Sequence, residues 1–205
     1  MKLLFVAAHP DDIEYGCTGT ILRCKEQGHD IYIILMSNGE NSVCSNENQR
    51  LTELNSSFMS LKIEQVTFLK KRDGFIECNK QCVQELTKIF DEIQPDIIFT
   101  HYYEDRHQDH RNTSHAVRAA CWSKFNLLYF ESFSSVDFSP TVYVDISPYV
   151  EKKQEIIECY KTQIEKYKNR NMNFAEDSIA ANRKYGKNIR AFYAEGFRVG
   201  TYCWR

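Results

Sequence analysis

Leu3-Leu4-Phe5-Val6-Ala7-Ala8-His9-Pro10-Asp11-Asp12-Ile13-Glu14 is the stretch on which the reading of this chain turns. Six apolar residues without a polar break predict a short strand buried on both faces. Directly behind it, one imidazole and three carboxylates crowd into the turn that leaves the strand. Like charges that close raise one another's pKa, so something must compensate them. A divalent cation is the simplest candidate, because neutral imidazole with carboxylate is a ligand set suited to zinc. A helix start, whose dipole favours Asp and Glu, accounts for one such acid but not for the whole group.

Outward from this stretch the pattern is strand, helix, strand, helix. Residues 16–26 read as a helix closed by Gly28 at the expected position. Residues 31–36 form a second apolar strand, followed by a polar loop over 37–46 and a helix over about 47–60. A short strand is predicted over 66–69. Cys78, Cys82, Leu86, Ile89 and Ile93 fall on helical spacing over 78–93. After Pro95, residues 96–100 form another buried strand, then a helix over 111–122 and strands over 127–130 and 142–145. The tail, 149–167 and again about 174–193, reads as mostly helical. Continuous apolar strands alternating with amphipathic helices predict an α/β fold, a Rossmann-like three-layer α/β/α arrangement with a mainly parallel sheet. No repeat or linker divides it, so 1–205 is expected to be a single domain.

The 205 residues carry 42% hydrophobic and 26% charged side chains, the balance of a soluble globular protein. A net charge of -2 gives no reason to expect nucleic acid or an anionic membrane as partner. The eight cysteines include no CxxC pair. Cys78 and Cys82 are read as small core residues on one helix face. A chain of this size needs no disulfide framework, which makes the reducing cytosol the expected, cytoplasmic location. The apolar run at Leu3 is too short for a secretion signal or a membrane span. The composition leaves room for a homo-oligomer.

The second dense cluster is His101-Tyr102-Tyr103-Glu104-Asp105-Arg106-His107-Gln108-Asp109-His110, and it too follows a buried strand. The carboxyl ends of parallel strands share one edge of an open α/β sheet, and ligands bind in the crevice there. Two His/Asp clusters some ninety residues apart should therefore converge. A loop of merely solvated histidines is the bland alternative. His115, five residues beyond His110 on a helix, faces away, and His29 beside Gly28 reads as solvated. Gly16-x-x-Gly19 suggests a nucleotide loop, but it lacks a third glycine. Asp11, Asp12 and Glu14 would also repel a pyrophosphate at that helix N-terminus.

His9-Pro10-Asp11-Asp12 with Glu14, Gly16 and Gly19, together with His107-x-Asp109-His110, resembles the zinc-dependent N-acetylglucosaminyl deacetylase family that includes the PIG-L and LmbE-like enzymes. Asn38-Gly39-Glu40, Arg50-x-x-Glu53 and Tyr193-Ala194-Glu195-Gly196-Phe197 extend the likeness along nearly the whole chain. Three departures are visible: Ile13 intervenes before Glu14, Gln108 replaces a frequent Pro, and Thr18 stands where Gly is common. The resemblance implies one Zn2+ held by His9, Asp12 and His110, with Asp11 as general base. It also implies that His107, protonated, holds the tetrahedral oxyanion and that Asp109 keeps His107 oriented and charged. Arg50 would touch substrate hydroxyl or phosphate groups, while His101 and Asp105 would support the ligands and Glu14 would not be one. The reaction implied is metal-assisted removal of acetyl from an N-acetylated amino sugar, free or attached to a nucleotide, lipid or small thiol precursor.

Two other classes compete. A metal-dependent phosphoesterase usually wants more bridging carboxylates than this set supplies. A non-catalytic zinc- or sugar-binding module would have no need of Asp11 and His107. Tyr15, Tyr102, Tyr103 and Trp122 could stack on a sugar face, and the segments 37–46 and 169–188 are expected to set specificity for the rest of the substrate.

Overall fold

The opening apolar run becomes β1 (Lys2–Ala7). In the computed structural model, which describes residues 1–41, 47–122 and 124–203, it lies inside one seven-stranded sheet. The order is β3-β2-β1-β4-β5-β7-β6. β1 pairs in parallel with β2 (Asp30–Leu35) and β4 (Ile97–His101), so that Phe5 lies opposite both Ile33 and Phe99. β3 (Val66–Phe68) and β5 (Asn126–Phe130) extend the parallel set on either side. Consecutive strands leave β1 in opposite directions at β2 and β4, and this switch point opens a crevice at the carboxyl edge.

Both faces of β1 are apolar, as the unbroken run requires. Leu3, Phe5 and Ala7 pack with Ile13, Cys17 and Ile21 of α1 (Asp12–Glu26) and with Leu54 and Phe58 of α2 (Glu47–Leu61). Leu4, Val6 and Ala8 face the opposite way, against Leu86 and Phe90 of α3 (Lys80–Ile93) and Ala116 and Val117 of α4 (Gln108–Cys121). The alternation is the period-two geometry of a strand covered by helices on each side. The predicted three-layer α/β/α fold is the observed one.

Several boundaries differ from the sequence reading. α1 starts at Asp12 and α4 at Gln108, so Asp12, Asp109 and His110 lie on first helical turns, with Asp11 and His107 as the residues capping them. α3 starts after Asn79, whose side chain accepts the Cys82 N–H at 3.0 Å. Cys78 is therefore outside the helix and exposed, and only Cys82 is a core residue. The tail holds α5 (Val150–Ile157), α6 (Lys161–Lys168) and α7 (Phe174–Gly186). It also holds β6 (Val142–Asp145) ahead of them and an unforeseen strand, β7 (Ala194–Thr201), antiparallel to both β5 and β6. Among the described residues no helix is long and apolar enough to cross a membrane.

α1 is anchored from several sides. The Glu195 carboxylate on β7 accepts the Gly19 N–H at 2.9 Å and the Thr20 N–H at 2.7 Å. Lys153 Nζ donates to Glu195 at 2.7 Å and to the Tyr15 carbonyl at 2.7 Å, and Ser178 Oγ reaches the same carbonyl at 2.8 Å. Gly16 and Gly19 serve this close approach, since a Cβ on Gly19 would lie 2.5 Å from Ile146 Cγ2. The Gly16-x-x-Gly19 spacing is thus a packing device. Gly19→Ala is expected to cost about 1–3 kcal/mol through overpacking, read as a lower urea midpoint with an unchanged slope.

Candidate active site

Both clusters converge at the carboxyl edge of the sheet. The chain leaves β1 through Pro10 and Asp11, and Asp11 takes a left-handed backbone conformation (φ 94°) that few non-glycine residues adopt. Strain of this kind costs on the order of 1–3 kcal/mol and persists only where surroundings enforce it. Here Arg50 does so, with Nη1 donating to Asp11 Oδ2 at 3.1 Å and Nη2 to the Pro10 carbonyl at 2.6 Å. Gly39 (φ 69°) lets the next loop pass close over the guanidinium, 3.1 Å from the position of its missing Cβ. Burial pushes the Asp11 pKa up, against the opposing pull of Arg50.

Asp12, one residue on, points the other way. Its Oδ1 lies 3.2 Å from His110 Nε2, and its Oδ2 lies 3.5 Å from His9 Nδ1 and 3.2 Å from His101 Nε2. Burial alone would raise its pKa, but His110 and His101 outweigh it and hold the carboxyl well below the usual range. His110 is gripped from behind: its Nδ1 lies 3.2 Å from Asp105 Oδ2. Asp105 in turn accepts from the hydroxyls of Ser132, Ser134 and Ser135 and from the His107 N–H at 2.8 Å. Burial lowers the His110 pKa, yet Asp12 and Asp105 prevail and lift it to about 9. His101 is fully buried, stacked on His110 at 4.1 Å, and accepts the Ala8 N–H at Nε2. Burial and the neighbouring His110 take its pKa down to about 4.

The expected partnership of Asp109 and His107 takes another form. The Asp109 carboxylate accepts the Gly74 N–H at 2.7 Å and the Ile76 N–H at 3.3 Å and lies 3.1 Å from His9 Nε2. Its link to His107 is through the backbone, the Asp109 N–H donating to His107 Nδ1 at 3.2 Å. His107 caps α4, and a capping side chain turned onto its own helix cannot also meet a carboxylate two residues on. Burial, His110 and His9 lower its pKa to about 4, opposite to the protonated state expected. Because Nδ1 accepts a hydrogen bond, the neutral ring carries its proton on Nε2.

His9, Asp11, Asp12, His107 and His110 line a cavity of about 810 Å³, together with Arg50, Tyr15 and Asp73, whereas His101, Asp105 and Asp109 do not reach it. That size suits a small organic ligand. Its outer wall comes from Phe133 and from the tail, where Lys166, Tyr167, Arg170, Met172 and Phe174 face it. Of the four aromatic residues singled out in the sequence, only Tyr15 lines it. Tyr102 and Tyr103 pack with the core on the far face of the sheet, and Trp122 is 86% exposed. From 37–46, Gly39 and Asn41 line the cavity, while 42–46 lie outside the described residues.

Glu14 is no part of the cluster. It is buried and accepts from Ser57 Oγ and Tyr160 Oη, each at 2.6 Å. Glu53 accepts the Thr162 N–H at 2.8 Å and so ties down α6. Asp73 escaped the sequence reading: its Oδ1 lies 3.0 Å from His9 Nε2. The signal was available, since Asp73 sits in the loop after the third parallel strand, on the same sheet edge.

The donor set has the chemistry for a cation. His9 and His110 each turn one ring nitrogen to a carboxylate behind them and the other towards Asp12. Among the described residues, three sets of groups have ligand atoms within 4.8 Å of one another: His9, His107 and His110; Asp12, His101 and His110; and His9, Asp73 and Asp109.

Imidazoles and carboxylates gathered on the carboxyl edge of a parallel sheet, under a cavity of ligand size, define an α/β enzyme with a candidate metal centre. Comparison with known proteins gives the family. Residues 4–121 match "PIG-L: GlcNAc-PI de-N-acetylase", and the chain belongs to that family and is an N-deacetylase by its relatives. It is 28% identical over 151 residues to the "Uncharacterized deacetylase YaiS" of Escherichia coli (strain K12), covering 70% of this chain and 81% of that one. It is 26% identical to the diacetylchitobiose deacetylase of Thermococcus kodakarensis, over 96% of this chain and 82% of the relative. The crystal structure of the conserved protein TT1542 from Thermus thermophilus superposes with a TM-score of 0.87 at 25% identity, covering 99% of this chain and 96% of that chain.

Proposed function

We propose that this chain is a cytosolic, single-domain, zinc-dependent hydrolase that removes acetyl from an N-acetylated amino sugar or its conjugate. The observation that carries the reading is the divergence of two adjacent carboxylates: Asp12 faces His9 and His110, while Asp11 is turned aside onto Arg50 in the same cavity. Family membership supplies the acetyl group, and the relatives named above supply the sugar.

His9, Asp12 and His110 would hold the cation, an open set of two imidazoles and one carboxylate. Bound there, zinc would polarise the acetyl carbonyl and lower the pKa of the attacking water. Asp11 takes the proton from that water and returns it to the leaving amine. Arg50 holds the Asp11 carboxylate by a hydrogen bond, and its place in the cavity wall would let it meet a substrate oxygen as well. His107 donates from Nε2 to the oxyanion as a neutral ring, its tautomer fixed by the Asp109 N–H. Tyr15, Phe133 and Phe174 offer apolar faces to a sugar ring, and Lys166 and Arg170 lie further out along the same wall.

Acetate release from a panel of N-acetylhexosamine conjugates, with added zinc and with a chelator, tests the proposal. Release from at least one conjugate that is abolished by chelation and restored by zinc is expected. Zinc binding with no release from any of them would favour the binding-module reading, and release of phosphate would favour a phosphoesterase.

A further inference from the structure

We propose that Asp73 is a positioning residue for the metal centre: with Asp109 it fixes the His9 ring so that Nδ1 is the atom offered to the cation. This rests on the metal-site reading above. His9 Nε2 lies between two carboxylate oxygens, Asp73 Oδ1 at 3.0 Å and Asp109 Oδ2 at 3.1 Å. Two acceptors on one ring nitrogen hold a proton there, which leaves Nδ1, on the Asp12 side, as the atom a cation would take. Metal-bound histidines characteristically donate their other N–H to a carboxylate or carbonyl, which sets the tautomer and raises ligand basicity.

The two carboxylates are not equivalent. Asp109 is fully buried and accepts the N–H groups of Gly74 and Ile76, the first delivered by a turn at Gly74 (φ 81°). Asp73 belongs to the same turn, yet its other oxygen accepts the Asn41 N–H at 3.1 Å, and Asn41 Nδ2 returns a bond to the Asp73 carbonyl at 2.5 Å. Asp73 therefore joins His9 to the loop after β2, whose Gly39 and Asn41 line the cavity. His9, Asp73 and Asp109 could also be taken as ligands of a second cation. Zinc stoichiometry separates that arrangement from the one proposed.

The test is the zinc dissociation constant and stoichiometry of the whole chain, measured by competition with a chromophoric chelator, beside the melting temperature of the metal-free protein. Asp73→Asn is expected to weaken zinc binding by about 10–100-fold, with one zinc per chain before and after and little change in the metal-free melting temperature. Asn41→Ala, which loosens the loop without touching His9, is expected to leave the dissociation constant unchanged. An unchanged constant in Asp73→Asn overturns the proposal, as does an equal loss in Asn41→Ala. Two zinc ions per unaltered chain with one lost in Asp73→Asn overturns it in favour of a second site, and no zinc binding at all overturns it outright. Because binding is read without turnover, failure of the deacetylase reading shows separately, as bound zinc with no acetate released from any conjugate.

Discussion

Asp11→Asn is expected to lower the rate of acetate release by about 10²–10⁴-fold, the usual contribution of a positioned general base, with zinc content unchanged. Asn removes the proton acceptor but keeps an oxygen for Arg50 Nη1, which now meets Asp11 at 3.1 Å. The choice matters because Arg50 is 3% exposed and its partner cannot be deleted freely. Arg50 loses its counter-ion in either variant, and a buried unpaired charge is destabilising, but Asn keeps the hydrogen bond, so Asp11→Ala would mix a larger folding loss with the catalytic one. Single-turnover rates and zinc stoichiometry on the same preparation separate the two. Loss of zinc in step with activity would mean that Asp11 is a ligand, and full activity would remove it from the mechanism.

The largest stability effect is expected at Glu195. Glu195 and Lys153 are both fully buried, 2.7 Å apart, and breaking such a pair by removing one partner costs about 3–5 kcal/mol. Glu195→Gln carries a further cost: its amide would set one N–H donor against the donors now received from Gly19, Thr20 and Lys153. The expected result is a large fall in urea midpoint. Lys153→Met combined with Glu195→Gln should recover part of the loss, since no uncompensated charge then remains. If Glu195→Gln falls by less than about 1 kcal/mol, the range of an exposed ion pair, the carboxylate is reached by water and the anchoring role fails.

The central strands were readable because their signal is local. Leu3 to Ala8, the run at Ile31 and the run at Ile97 are covered on both faces and hold several apolar residues in succession. β7 was not, since Ala194–Thr201 includes Glu195, two glycines and Arg198, and its burial depends on partners at β5, β6 and α1 far away in sequence. The start of α4 was placed late because its cap is a histidine, a residue type that carries no capping signal of its own. In the site, the motif residues came together as expected because strand ends share an edge. Asp73 and Phe133 were missed for a common reason: each is a single polar or aromatic residue that only the tertiary fold brings to the others, whereas Arg170, Met172 and Phe174 of the same wall fall in the segment 169–188 singled out for specificity. The partner of Asp109 was misassigned because spacing within a motif says which residues are near and not which way a carboxylate turns.

The hydrogen bond from Gly19 to Glu195 spans 176 positions. Contacts of such separation demand loop-closure entropy before they return any stabilisation, which slows folding. At synthesis rates of about 5–20 residues per second, roughly 10–35 seconds pass between the making of α1 and the arrival of the carboxylate that secures it. Throughout that interval the turn at Asp11 and Asp12 exists as sequence without β7 or α7 to hold its helix in place. His9, Asp11 and Asp12 are thus made well before the strand that completes their setting.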